Sequence, residues 1–164
     1  MTLECYLAQN GGTQLDNDRN KALELSAITL GSHRKLWWRC EKGHSWQAMP
    51  FSRTKEKGSG CPYCTGKKVL VGFNDLQTLR PKLAKEWHRS LNGELEPSDV
   101  TLGSNKKVWW RCEEGHVWQA AVYSRTRARA SGCPVCAGVV KTNKKSTDRK
   151  RRTMKRQSAT EVSP

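Results

Sequence analysis

The chain has 164 residues, of which 30 are Lys or Arg and 15 are Asp or Glu, so its formal net charge is +15. Only 35% of the residues are hydrophobic, and small domains with so little apolar surface usually need a metal or disulfides to hold them together. The sequence contains no apolar run long enough to span a bilayer, which excludes a transmembrane helix. The excess positive charge favours a polyanionic partner, either nucleic acid or an anionic surface.

A gapless internal duplication relates residues 29–66 to residues 101–138 at a constant offset of 72, with 24 of 38 positions identical. Similarity at a fixed period indicates a tandem structural unit, so we expect two units that each fold around a nucleus of their own. The duplication also identifies which residues recur with metal-ligand chemistry. These are Cys40, His44, Cys61 and Cys64 in the first unit, and Cys112, His116, Cys133 and Cys136 in the second.

The N-terminal segment, residues 1–22, has only a weak pattern. Leu15 stands where the second unit has Trp87, so this segment is a degraded copy of what precedes the second unit. We therefore expect it to be partly disordered.

Tryptophans flank the first Cys and His of each unit, as in Trp37-Trp38 before Cys40 and Trp46 after His44. This pattern predicts a short β-hairpin whose tip holds Cys and His. Because side chains alternate across a strand, one ring of each Trp-Trp pair should face the core. The other ring would be packed by a neighbour or left to stack on a base.

The ligand order in each unit is Cys-x3-His-x16-Cys-x2-Cys, which predicts a closed Cys3His zinc site. The sequence start lacks the features of a secretory signal, so we expect thiols that bind metal rather than disulfides. Four protein ligands leave no open coordination position, and we therefore predict two structural Zn²⁺ ions. A redox Cys-x2-Cys pair and an iron site are the alternatives.

Upstream of the second unit, Leu76, Leu79, Leu83 and Trp87 follow helical spacing. Pro81 suits a first helical turn and Asn92-Gly93 suits a termination. The pattern predicts a short helix from about Pro81 to His88 that packs on the second unit or bridges the two.

The C-terminal segment, residues 139–164, contains nine Lys or Arg and two acidic residues, a net charge of +7. It has almost no large apolar residue, so we predict a disordered basic tail that assists binding or only adds solubility. The predicted domains are residues 1–66, residues 67–138 and this tail. The predicted fold class is a small, metal-stabilised α+β fold with two tandem modules of the zinc-ribbon or treble-clef kind.

With these residues in view, the chain resembles the probable zinc-ribbon, or treble-clef zinc finger, domain of unknown function, which occurs mostly in tandem arrays. The resemblance rests on Leu-x-x-Glu-Trp, Asn-Gly, Trp-Trp-x-Cys-x-x-Gly-His-x-Trp and Gly-Cys-Pro-x-Cys, met almost in full by Leu83–Cys136. The first unit matches from Gly31 to Cys64 and lacks the Leu-x-x-Glu-Trp portion. Such domains are similar to ones found beside endonuclease-like domains, and this implies an accessory role in DNA binding.

The first functional hypothesis is a non-enzymatic nucleic-acid-binding protein, with DNA favoured over RNA. Arg and Lys on the two zinc modules would contact backbone phosphates, which gives salt-dependent and weakly sequence-selective binding. The candidate nucleic-acid-binding residues are Arg39, Arg53, Arg111, Arg125, Lys35, Lys107, Arg127 and Arg129. For each Arg the alternatives are a solvated charge or a guanidinium stacked on a Trp of its own module.

A second hypothesis is a zinc-stabilised protein-interaction scaffold that acts with a nuclease or ribonucleoprotein partner. A third is a nuclease, which we disfavour because both recurring histidines are assigned to zinc. His33 and His88 occur once each, and Glu41 with Glu113 gives one recurring acid per module, too few for metal-assisted hydrolysis. We expect no membrane partner and no small-molecule substrate. The expected location is the cytoplasm in association with the nucleoid, or the nucleus if the source is eukaryotic.

Overall fold

The computed structural model of the chain describes residues 1–9, 15–21, 23–56 and 58–140. Within these ranges each module contains one antiparallel two-stranded sheet followed by a short helix. The elements are α1 (Leu3–Gln9), β1 (Leu36–Arg39), β2 (Ser45–Ala48), α2 (Pro50–Thr54), α3 (Leu76–Leu79), α4 (Pro81–Ala84), β3 (Lys107–Arg111), β4 (Val117–Ala121) and α5 (Val122–Thr126). Three 3₁₀ turns lie at Leu25–Ala27, Ser90–Asn92 and Pro97–Asp99. The α+β prediction is confirmed; the tail from residue 141 onward lies outside the described residues.

The two hairpins have the same register and confirm the predicted alternation of the tryptophan pairs. Trp38 lies opposite Trp46, and Trp110 lies opposite Trp118. Trp38 and Trp110 are 2% and 0% exposed, whereas Trp37 is half-buried on the other face of its strand. Each fully buried indole is hydrogen-bonded through its Nε1, since Trp38 donates to the carbonyl of Ala48 at 2.9 Å and Trp110 to that of Ala120 at 3.0 Å.

The helix predicted from Pro81 to His88 ends early, at Ala84. The residues after it turn toward β3, where the Arg111 amide donates to the Glu86 carbonyl and the His88 amide donates to the Trp109 carbonyl. Trp87 thereby forms an isolated β-bridge to Trp110. The helical spacing of Leu76 and Leu79 belongs to a separate short helix, α3. None of the described helices is long and apolar enough to cross a membrane.

Residues 3–9 of the N-terminal segment form the helix α1. Leu3 is fully buried and its amide donates to the Ile28 carbonyl at 2.7 Å, just as the Leu76 amide donates to the Val100 carbonyl in the second module. Leu15 forms a β-bridge to Trp38, so it takes the place of Trp87 as the sequence indicated. Residues 10–14 and residue 22 lie outside the described ranges.

Each module has its own small core. In the first, the buried residues are Leu3, Leu15, Ile28, Leu36, Trp38, Trp46 and Cys61. In the second, they are Leu76, Trp87, Val100, Val108, Trp110 and Val122. Clusters of this size bury little apolar surface, and the rest of the stability must come from polar contacts and metal ligands.

The connection between the modules is tied to the first one. The Asn74 side chain donates to the carbonyls of Tyr63 and Lys68 at 2.7 and 2.8 Å, and it accepts from the Leu70 amide at 2.7 Å. Directly after it, the Asp75 carboxylate accepts from the Thr78 amide at 2.8 Å and caps α3 of the second module. This connection is therefore an ordered joint rather than a free linker.

In each module one asparagine side chain pairs with the backbone at the outer edge of the first hairpin strand. Asn92 accepts from the Trp109 amide at 2.8 Å and donates to the Trp109 carbonyl at 3.0 Å, as a neighbouring strand would. Asn20 makes the same two bonds to Trp37, at 3.1 and 2.7 Å. The amide side chain thus supplies both halves of a β-ladder pairing.

Removing this pairing should weaken the module. We predict that Asn92→Ala lowers the free energy of unfolding by about 2 kcal/mol, since two hydrogen bonds of about 1 kcal/mol each are lost. Chemical denaturation monitored by tryptophan fluorescence measures the change. Asn105→Ala, at an exposed position, is the control and should change the free energy by less than about 0.5 kcal/mol. Equal losses for the two variants would contradict the stabilising role of this pairing.

Candidate metal centres and basic surface

The first two ligands of each module are positioned by the loop of its hairpin. In the first module the Cys40 amide donates to the His44 carbonyl at 3.0 Å, and the Gly43 amide donates back to the Cys40 carbonyl at 2.8 Å. Gly43 has a φ of +79°, in the left-handed region that glycine adopts without strain. The tight loop turns both ligand side chains toward the same point.

The last two ligands lie on a turn after the hairpin helix. The Thr65 amide donates to the Cys61 carbonyl at 3.0 Å, and the Gly66 amide donates to the Tyr63 carbonyl at 3.1 Å. These bonds close a compact knuckle around Pro62, and both cysteine sulfurs are presented on one side of it. In the second module the Ala137 amide makes the equivalent bond to the Cys133 carbonyl at 3.0 Å.

The ligand atoms of the first module form a tetrahedron of the size that zinc requires. His44 Nδ1 lies 3.5, 3.7 and 3.3 Å from the sulfurs of Cys40, Cys61 and Cys64, and the Cys40 and Cys64 sulfurs are 3.8 Å apart. A tetrahedron with Zn–S bonds of about 2.3 Å and a Zn–N bond of about 2.1 Å has S···S edges of about 3.8 Å and N···S edges of about 3.6 Å. The donor set therefore fits Zn²⁺ in both chemistry and dimensions.

The second module repeats this geometry. His116 Nδ1 lies 3.5, 3.8 and 3.4 Å from the sulfurs of Cys112, Cys133 and Cys136, and the Cys112 and Cys136 sulfurs are 3.9 Å apart. In each module the four ligand atoms all lie within 4.8 Å of one another. The eight ligands predicted from spacing and duplication are thus brought together as two sets of four.

Crowding of the thiols shifts their acidity in opposite directions. Desolvation, with hydrogen bonds and charge from Cys61 and Cys40, raises the pKa of Cys64 to about 11. The hydrogen bond with Cys133, with desolvation, raises the pKa of Cys136 to about 12. Desolvation also opposes ionisation of Cys40, but backbone N–H groups of His44 and Lys42 outweigh it, so the Cys40 pKa is lowered. Three thiols at such short range cannot all ionise unless a cation lies between them. A bound Zn²⁺ supplies that positive charge.

The sequence profile of the probable treble clef zinc finger domain matches residues 13–67 and residues 83–139. These two matches cover more than half of the chain, and each contains one complete set of four ligands. The chain belongs to the probable treble clef zinc finger family. A comparison with curated proteins gives no match. The family and the geometry agree on two zinc finger modules whose Cys3His sites are compatible with two structural zinc ions.

Two features of these treble clef sites were not apparent from the sequence. The liganding nitrogen is Nδ1 rather than Nε2, which the ligand spacing does not specify. In addition, the ring of Phe73, from the connection between modules, lies edge-on against the His44 ring with centroids 4.3 Å apart. Phe73 therefore packs against the histidine ligand of the first zinc finger. The only sequence feature that indicates this contact is the position of Phe73 shortly after the knuckle.

Two of the predicted nucleic-acid-binding arginines are packed inside the modules. The Arg125 guanidinium lies 4.9 and 5.0 Å from the ring centroids of Trp110 and Trp118 and pairs with Glu86 at 2.8 Å. Arg53 is enclosed in the same way by Trp38 and Trp46, and it donates to the Ser59 carbonyl. Burial lowers the pKa of Arg53. Arg125 is buried and Arg53 is half-buried, and both guanidinium groups stack on tryptophans of their own module, which is the alternative that the sequence left open for each arginine.

The other six candidates are exposed. They are Lys35, Arg39, Lys107, Arg111, Arg127 and Arg129. Arg39 pairs with the fully buried Asp16 at 3.1 Å and with Asp18 at 3.5 Å. The Asp16 pKa is lowered by the hydrogen bond from Ser45 and, further, by the charges of Arg39 and Arg19. Arg111, its counterpart, has no ion pair within the described ranges, so its charge faces solvent uncompensated.

The zinc sites can be tested one at a time. We predict that Cys64→Ser lowers the zinc content from two ions per chain to about one, because a three-ligand site loses most of its affinity. Elemental analysis of the purified chain measures the stoichiometry. Cys5→Ser, which replaces the cysteine that lies in α1 outside both ligand sets, is the matched control and should retain both ions. Retention of two ions by Cys64→Ser would contradict the assignment.

The buried arginines should matter for stability. We predict that Arg125→Gln lowers the free energy of unfolding of the second module by about 2–3 kcal/mol, because Glu86 and the two tryptophan faces lose a cation. Thermal or chemical denaturation measures the loss. Arg127→Gln removes the same charge two residues later at an exposed position and should cost less than about 0.5 kcal/mol. An Arg125→Gln chain that is as stable as the wild-type chain would contradict this stabilising role.

Proposed function

We propose that this chain is a non-enzymatic nucleic-acid-binding protein in which two structural zinc fingers present cations to backbone phosphates, with DNA favoured over RNA. The observation that carries the proposal is the repeated placement of exposed cations on equivalent hairpin positions. Lys35 directly precedes β1 and Lys107 begins β3, and Arg39 and Arg111 are the last residues of these two strands. A net charge of +15 over 164 residues strengthens the attraction to a polyanion.

Contacts of this kind bind by charge and release condensed counterions. They position the protein on the phosphate backbone without reading base edges, so the proposed binding is weakly sequence-selective. The basic C-terminal segment would add reach and steering, as the sequence predicts. The preference for DNA is taken from the resemblance to domains found beside endonuclease-like domains.

The non-enzymatic part of the proposal follows from how the histidines are used. His44 and His116 each stand within 3.8 Å of three cysteine sulfurs, as closed structural sites require. His33 stacks on Phe51 with ring centroids 5.6 Å apart. These placements leave no recurring histidine to act as a general base for hydrolysis.

Binding measured across salt tests the proposal. Fluorescence anisotropy with duplex DNA, single-stranded DNA and RNA should give affinities that fall by about 10²-fold or more between about 50 and 200 mM salt. The chain should bind duplex DNA at least as tightly as RNA of the same sequence. The same titration with residues 1–138 alone should retain salt-dependent binding if the modules themselves bind. Affinity that stays flat with salt would contradict phosphate contacts, and tighter RNA binding would reverse the stated preference.

One observation favours the alternative, a protein-interaction scaffold that acts with a nuclease or ribonucleoprotein. Phe51 and Tyr123 occupy equivalent positions at the starts of α2 and α5, and their exposed fractions are 50% and 49%. Repeated exposed aromatic rings are common anchors of protein interfaces. Loss of partner binding in the double variant Phe51→Ala/Tyr123→Ala, with DNA affinity unchanged, would favour this alternative.

A further inference from the structure

A groove of about 1350 Å³ on the second module is lined by the stretch from Leu79 to Ser90, by the end of β3 with the two residues after it, and by Arg125 of α5. Its rim carries five exposed cations that come from two separate parts of the chain. They are Arg80, Lys82, Lys85, Arg89 and Arg111. Four of the five were not among the predicted binding residues, because they lie before the duplicated segment and recur nowhere in it.

The acidic residues of the groove do not cancel this charge. Glu86 is held by Arg125 at 2.8 Å, and Glu113 is the other acid along the walls. Six cationic and two acidic side chains line the groove, which leaves a net charge of +4 with His88 neutral. A concave surface with one sign of charge focuses the electrostatic potential within it.

Arg125 adds a sixth cation on the inner wall of the groove. The Arg125 side chain is 6% exposed, and its Nε and Nη1 have no hydrogen-bond acceptor within the described part of the chain. Both atoms belong to the guanidinium that stacks on Trp110 and Trp118, so Arg125 contributes its positive charge to the groove rather than a free N–H group. Arg125 is thus absent from the outer surface but lines the inner wall of the groove.

The first module lacks an equivalent of this groove charge. Residues 7–18, which correspond at the offset of 72 to the groove-lining stretch 79–90, contain no Lys or Arg. The position of His88 is taken by Asp16, which binds Arg39 at 3.1 Å. Arg111 keeps its charge open to the groove, whereas Arg39 has its charge neutralised by carboxylates. The two modules therefore share a zinc site but differ in surface charge.

From this asymmetry we infer that the groove of the second module is the principal site for nucleic-acid phosphates, and that the exposed cations of the first module contribute less. This inference rests on the proposed function, and it names where the phosphodiester backbone lies. The ligand is a run of phosphodiesters rather than a single phosphate, because the six cations that line the groove exceed the charge of one phosphate group. Base identity should have little influence, since phosphates carry no sequence information.

The test compares two variants of the full chain with equal changes in charge. The groove variant is Arg80→Gln/Lys82→Gln/Lys85→Gln/Arg89→Gln. The control variant is Arg34→Gln/Lys55→Gln/Lys67→Gln/Lys68→Gln, which alters four exposed cations of the first module and the joint after it. Both variants retain the C-terminal segment, and both are first checked for two bound zinc ions. If the groove variant loses zinc, Lys82→Gln/Lys85→Gln replaces it, with half the effect expected.

Anisotropy titrations with duplex DNA, single-stranded DNA and RNA give the slope of log K against log salt. For duplex DNA the groove variant should reduce the steepness of this slope by about 2–4 and weaken binding more than about tenfold, whereas the control should change the slope by less than about 1. The groove variant should also lose affinity for the two single-stranded probes.

Two results would overturn the inference while leaving the proposed function intact. One is a groove variant that binds like the wild-type chain, and the other is a control that loses as much affinity as the groove variant. Absence of wild-type binding to all three nucleic acids would instead refute the proposed function, and with it the assignment of the groove as a phosphate site.

Discussion

The rest of the structure depends on bringing four ligand atoms of each module to within 4.8 Å of one another. That requirement joins the hairpin loop to a knuckle that starts more than a dozen residues later, and so it fixes where the intervening helix runs. The cores contain only six or seven buried residues each, too few to define a fold by apolar burial alone. Metal-ligand bonds complete the stabilisation because their free energy of binding is also free energy of folding.

Around the metal sites, polar side chains supply packing and stabilisation that apolar residues supply in larger domains. Arg53 and Arg125 fill the space between two tryptophans of each hairpin, and Asn20 and Asn92 complete the hydrogen bonding of the outer strand. This explains how a chain with 35% hydrophobic residues builds two ordered modules. It also divides the positive charge into cations that stabilise the fold and cations that face solvent.

The ligand sets, the hairpins and the inward tryptophans could be predicted because spacing and duplication constrain them independently. The roles of Arg53 and Arg125 could not, since a recurring arginine looks the same in sequence whether it faces phosphate or tryptophan. The helix that begins at Pro81 is shorter than its spacing predicts because Glu86 to His88 pair with β3, a tertiary contact that outweighs local helical spacing. Likewise, α1 is recognisable only once Leu3 is seen in the core.

The groove cations were missed for a related reason. Duplication identifies only residues that recur, and Arg80, Lys82 and Lys85 have no basic counterpart in the first module. The duplicated part of the sequence describes what both modules need in order to fold. The part of the sequence that differs between the modules determines how their surfaces differ, and in that part the second module carries the basic residues.

The central claim is that zinc holds both modules in their folded state. Hydrogen exchange at the indole Nε1 of Trp38 and Trp110, followed by NMR during stepwise zinc removal with a chelator, tests it most directly, since both groups are buried and hydrogen-bonded. The account predicts that protection of these two indoles is lost in proportion to the zinc removed and returns when zinc is restored. Protection that persists in the zinc-free chain would contradict it.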